Sequence, residues 1–171
     1  PQAGPALVRG GRQERDRRAG TESVSLVLGF LAATEWVGEH TPRVQQDMEA
    51  LRDRLVARLA THPGCFVNGS DAPRLPNTAS VGFEGVSAQS LLIAVDLAGL
   101  AISTGSACSS GAIEPSHVLT AMGLAADRIA STLRISLGWG STAAEVDRAS
   151  DILLEEVQRL QHSPAGKKAS Q

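Results

Sequence analysis

"TLRISLGWGSTAAEVDRASDILLEEVQRL", Thr132 to Leu160, is the stretch that decides the fold class. From Thr132 to Leu137 the residues alternate: Leu133, Ile135 and Leu137 point one way, Thr132, Arg134 and Ser136 the other. Period two marks a strand with one buried face. Thr142-Ala-Ala-Glu145 then reads as a capping box, in which hydroxyl and carboxylate each satisfy a backbone N–H at a helix start. The helix it opens carries Val146, Ala149, Leu153, Val157 and Leu160 on one face. A strand feeding an amphipathic helix is the building unit of an α/β protein.

Upstream the same alternation of elements continues. Cys65 to Val67 and Thr78 to Phe83 read as short strands separated by a Pro-bearing turn. Ser87 opens a helix with Leu91, Leu92 and Val95, and Leu100 to Ser103 reads as a third strand. A short helix over 116–122 stops at Gly123. Thr41-Pro42 supplies a cap and a first-turn proline for a helix striped by Val44, Met48, Leu51, Leu55 and Leu59. Before it, a helix starting after Gly20 carries Val24, Leu26, Val27, Leu28, Phe30 and Leu31, apolar on all sides. Such a helix is expected to be buried, within a domain or between subunits. Strands interleaved with helices predict an α/β sandwich.

Composition sets the outer bounds. The chain has 171 residues, 42% of them apolar, and a formal charge of −2. That is enough for one ordinary core, and the near-neutral balance gives no footprint for nucleic acid. The longest apolar run, Val24 to Ala33, is too short to cross a bilayer. Cys65 and Cys108 are the only cysteines, which excludes a disulfide framework, and no Cys/His spacing suggests a metal site. A reducing cytoplasm is the expected compartment. All basic residues but two are arginines; the lysines, Lys167 and Lys168, lie in a polar tail that reads as disordered.

Three places carry chemistry. In "ISTGSACSSGAIEPSH", residues 102–117, six of the nine positions from Ser103 to Gly111 are Gly or Ser. Cys108 among them reads either as a nucleophilic thiol free to approach a substrate or as a small buried cysteine beside a turn. Cys65, starting an apolar strand, reads as structural. Arg134, on the polar face of its strand, is placed either to grip a carboxylate through two parallel hydrogen bonds or to form a surface salt bridge. Thr21, after Gly20 at a helix start, offers a hydroxyl and nearby N–H groups to a phosphate, or simply caps the helix.

Together GGRQERDRRAGTES, LPNTASVGF, ISTGSACSSGAIEPSHVLTAMG and LRISLG followed by T-x-x-E-V-D resemble the C-terminal half of a cysteine desulfurase of the nitrogenase and iron–sulfur-cluster type, within the class V aminotransferases. Order and spacing agree over roughly residues 5–160. Selenocysteine lyases share the pattern and stay an alternative, as does a non-catalytic protein-interaction or thiol module. The resemblance implies the small C-terminal domain of a pyridoxal-phosphate-dependent, fold-type I transferase, a mixed sheet with flanking helices, plus the end of the large domain. The implied division is 1–38 for the end of the large cofactor-binding domain and connecting helix, 39–162 for the small domain, and 163–171 for the tail.

The resemblance also implies roles. Cys108 would take sulfur from L-cysteine as a persulfide, releasing L-alanine. Arg134 would hold the substrate carboxylate, and Thr21 the phosphate of pyridoxal 5'-phosphate across a dimer. The partners implied are a homodimer or a complementing N-terminal half, and a sulfur-acceptor or scaffold protein; no metal, nucleic acid or membrane is expected. The sequence departs from the family pattern in three ways. The lysine that anchors the cofactor has no counterpart in this chain, Arg12 stands where glycine is common, and Ser23 where asparagine is common. On this reading the isolated chain is inactive.

Overall fold

The computed structural model describes residues 5–6, 8–104 and 115–162. The chain divides into two units, residues 1–41 and 42–171.

In the first unit, Val8 and Arg18 form a single bridge around α1 (Gln13–Asp16), one turn in which Glu14, Arg15 and Asp16 take left-handed φ angles. Helix α2 (Val24–Leu59) follows and runs on into the second unit. It begins three residues later than the Gly20-Thr21 pair suggests. Ser23 is its entry point, accepting from the Val27 N–H at 3.1 Å. Val24, Leu26, Val27, Leu28, Phe30 and Leu31 are all at least half exposed, so within the described residues of this unit their all-round apolarity finds no cover.

Pro42 does not start a helix; it lies inside α2. The Thr41 hydroxyl, expected to cap forward, instead donates back to the Val37 carbonyl. That is the alternative bond open to a threonine in a helix interior. Proline has no N–H to return to the preceding turn.

The second unit is built on a four-stranded sheet: β1 (Cys65–Val67), β2 (Thr78–Phe83), β3 (Ser103–Thr104) and β4 (Thr132–Ser136), ordered β1-β2-β4-β3. Every pairing is antiparallel, where a mixed sheet was expected. The reason is topological. Strands β2 and β3, joined through helix α3 (Ala88–Leu97), run the same way, but β4 inserts between them. The β-α-β unit is split, and each of its strands meets only an antiparallel neighbour.

Helices α2 (from Pro42), α3 and α6 (Ala143–His162) cover one face of the sheet. Leu55, Leu59, Leu91, Val95, Val146, Leu153 and Val157 pack on Val81, Phe83, Leu133 and Ile135. Each buried side chain of this size is worth about 1.5–3 kcal/mol. The capping box forms as read: the Glu145 carboxylate accepts from the Thr142 N–H at 2.8 Å and Thr142 Oγ1 accepts from the Glu145 N–H at 3.3 Å. Arg54 clamps Asp147 through two 2.7 Å bonds, and Arg58 pairs with Asp147 and Asp151, tying α2 to α6.

Among the described residues, the other face is covered at one end. Phe66 lies over Gly82, and the Arg128 guanidinium of α5 (Ala126–Ala130) sits 4.5 Å from the Phe66 ring centroid. Arg128 also donates to Asn68 Oδ1 at 2.9 Å, and Asn68 donates to Thr132 Oγ1 and Ser80 Oγ. Helix α5 has no counterpart in the sequence reading, because five residues are too few to show a helical period. Helix α4 (His117–Ala121) is capped by the buried Ser116 and ends at Gly123, whose φ of +74° suits glycine.

Candidate functional site

Arg134 stands in the middle of β4 on the sheet face away from the helices. The alternation seen in sequence holds, with Leu133 and Ile135 buried and Arg134 and Ser136 exposed. Register sets its neighbours: Ser80 on β2 and Ser103 on β3 flank it directly. Its Nη2 donates to Ser103 Oγ at 3.4 Å. Among the described residues no carboxylate pairs with it; Asp147, Asp151, Glu49 and Asp53 are taken by Arg54, Arg58 and Arg52. Among the described residues, this guanidinium uses one of its five N–H donors, towards Ser103.

Cys108 lies outside the described residues, as do Lys167, Lys168 and the 163–171 tail. The flanks of the cysteine segment are described. Upstream, Thr104 of β3 lies opposite Leu133, one residue past the partner of Arg134. Downstream, Ser116 caps α4. So the strand that leads towards Cys108 is the one that borders Arg134. Cys65 is half-buried opposite Phe83, and burial pushes its thiol pKa up, so it is the less nucleophilic kind of cysteine.

Thr21 is in the other unit, exposed and outside the helix, between Gly20 (φ +102°) and Ser23. Arg18 Nη1 donates to the carbonyls of Gly20 and Thr21 at 3.1 and 3.2 Å, setting a cation beside the threonine. The free N–H groups of the first turn belong to residues 24–26, not to Thr21. Ser103 and Ser80 were not singled out in sequence. The available signal was the two-residue spacing along each strand, but it needs the register of β4 to acquire meaning.

An apolar groove of about 650 Å³ opens on the opposite side of β4, lined by Leu55, Ile102, Ile135, Leu137, Val146 and Ile152 among others. Arg134 does not line it. Its lining also includes Ser141, Glu145 and Arg148 towards the start of α6. Among the described residues no three His, Cys, Asp or Glu side chains group as metal ligands, and no helix is long and apolar enough to cross a membrane.

Comparison with known proteins agrees across sequence and structure. The family model described as Aminotransferase class-V matches residues 10–149. The protein named cysteine desulfurase IscS of Methanosarcina thermophila is 42% identical over 156 residues, which are 91% of this chain and 39% of that protein. The cysteine desulfurase NifS of Azotobacter vinelandii is 43% identical over 143 residues, 83% of this chain and 36% of that one. A NifS-like protein from Rickettsia africae superposes with a TM-score of 0.75 at 28% identity, covering 90% of this chain and 40% of that one. The chain therefore spans about two fifths of the length of these relatives.

Proposed function

Because the chain belongs to the class-V aminotransferase family, we propose that it is the carboxy-terminal part of a cysteine desulfurase, taking sulfur from L-cysteine and passing it on as a persulfide. The observation that carries this reading is Arg134: an exposed guanidinium with no described carboxylate, bordered by the strand that leads to Cys108. Its fork binds the substrate carboxylate through two parallel hydrogen bonds and so fixes the orientation of the amino acid. Cys108 receives the sulfur. Cys65 stays a spectator, since its thiol is half-buried and harder to ionise.

Pyridoxal phosphate, when bound, supplies the electron sink for this chemistry. The residues at hand do not build its site alone. Thr21, Arg18 and the free N–H groups of 24–26 suit one phosphate, but Arg18 is already turned onto two carbonyls, and the only lysines stand at 167 and 168. The reading therefore includes residues outside these 171, in an amino-terminal half or a dimer partner, that supply the amine and the ring contacts. A sulfur-acceptor protein takes the persulfide onward, in a reducing cytoplasm where such a thiol survives.

The test combines this chain with a complementing half, pyridoxal phosphate and L-cysteine, followed by peptide mass spectrometry under non-reducing conditions. One added sulfur on the Cys108 peptide, with turnover abolished by Cys108→Ser, is the expected result. Added sulfur on the Cys65 peptide alone, or full turnover by Cys108→Ser, overturns it.

A further inference from the structure

We propose that Ser103 is the positioning residue for the Arg134 fork, holding one end of the guanidinium so that the remaining donors face a carboxylate. This rests on the reading of Arg134 as the carboxylate grip. Register places a serine on each side of Arg134, Ser80 on β2 and Ser103 on β3. The two are not equivalent. The Ser80 oxygen already accepts from the Asn68 side-chain amide at 3.2 Å. The Ser103 hydroxyl spends its proton on the Thr104 carbonyl at 2.9 Å, which turns its lone pairs outward. Arg134 Nη2 meets that oxygen at 3.4 Å.

The consequence is a division of donors. An exposed arginine on a flexible stem samples many rotamers and loses that freedom on binding. With one N–H on Nη2 committed to Ser103, the stem is held over β3 while the other four N–H groups stay open for a bidentate contact. Neither flanking residue is acidic, so the fork is steered without being neutralised. The same serine immediately precedes Thr104, the last residue of β3, so the grip is fastened to the strand from which the cysteine segment departs.

The experiment uses this chain, ¹⁵N-labelled at arginine and leucine and carrying Cys108→Ser to stop turnover, combined with a complementing half and pyridoxal phosphate, with L-cysteine as probe and L-cysteine methyl ester as the control lacking a carboxylate. Solvent exchange of the Arg134 Nη–H protons reports on the side chain, and backbone amides of Leu133 and Arg134 report on the strand. In Ser103→Ala the expected result is exchange faster by about fivefold, the worth of one exposed hydrogen bond. The strand amides should not move. Ser103→Thr, which keeps the hydroxyl, should restore slow exchange, and a weakened L-cysteine response in Ser103→Ala alone completes the support. Unchanged Arg134 exchange in Ser103→Ala overturns the proposal. If Ser103→Ala loosens Arg134 but the wild-type side chain responds equally to L-cysteine and its ester, the positioning stands and the carboxylate reading of Arg134 falls.

Discussion

Phe66 lies directly across from Gly82 on the β1–β2 ladder, and its ring occupies the space a side chain at position 82 would need. A Cβ there would also stand 2.5 Å from the Ser131 carbonyl oxygen. The strand backbone at 82 needs no special φ; what it needs is room. Gly82→Ala should cost about 1–3 kcal/mol, the usual range for overpacking. Urea denaturation of the two chains measures it, and an unchanged midpoint would remove Phe66 and Arg128 from the account of how this face is closed.

Acid should loosen the α2–α6 clamp. The hydrogen bonds from Arg54 hold the Asp147 carboxyl below its ordinary pKa, with the charges of Arg54 and Arg58 acting the same way. The Thr142 hydroxyl and N–H do the same for Glu145. A carboxyl whose folded pKa is depressed adds stability above its unfolded pKa, about 3.9 for Asp and 4.3 for Glu. That stability drains away as pH falls through the lower, folded value. Melting temperature should therefore fall between pH 5 and pH 2, and Asp147→Asn should be less stable at pH 7 with a shallower fall. Parallel melting curves for the two chains would refute the clamp.

Arg134 is exposed, so Arg134→Ala should leave thermal stability within about 0.5 kcal/mol of the wild type. In a complemented enzyme the same change should weaken L-cysteine use by about 1.5–3 kcal/mol, the worth of a hydrogen bond to a charged group. Arg134→Lys should recover little, because an ammonium cannot reproduce the planar fork. Steady-state kinetics of the three proteins decide the matter, and a lysine variant with wild-type kinetics removes the carboxylate role.

Unit 1 leaves Leu26 at 74% and Phe30 at 71% of full exposure on the same helix. Exposed apolar surface on this scale drives association. The chain alone should form oligomers or aggregates in sedimentation, and Leu26→Glu with Phe30→Glu should shift it towards monomer without unfolding the second unit. A wild-type chain that stays monomeric at high concentration would show that the helix tolerates water.

Much of this was legible from local pattern. Thr142 with Glu145, Ser87, Ser116 and the Leu133–Ile135 alternation are short-range signals, each settled by residues within a turn or a strand of one another. What escaped depends on longer range or competing bonds. Thr41 had two bonds open to it, forward as a cap or back to Val37, and sequence does not rank them. Helix α5 is shorter than its own period. The antiparallel sheet follows from where β4 inserts, nearly fifty residues after β2 and nearly thirty after β3. The pairing of Ser103 with Arg134 inherits the same distance. The cysteine segment was recognised by composition and resemblance, while its flanks took their meaning from β3 and β4.

The insertion of β4 between β2 and β3 has a bearing on how the protein is made. Ser103 and Thr104 leave the ribosome well before Leu133 and Arg134, the residues against which they pair. Until then β3 has no strand to lie beside, and β2 has β1 on one edge only. Ser103 and Arg134 are therefore brought side by side in one late event, when the emerging strand slides into the gap. Long-range closure of this kind is slow. A nascent chain thus carries residues 105–114 for some time before Arg134 can pair with Ser103, and a chain that stops short of Leu133 has a β3 with no partner strand.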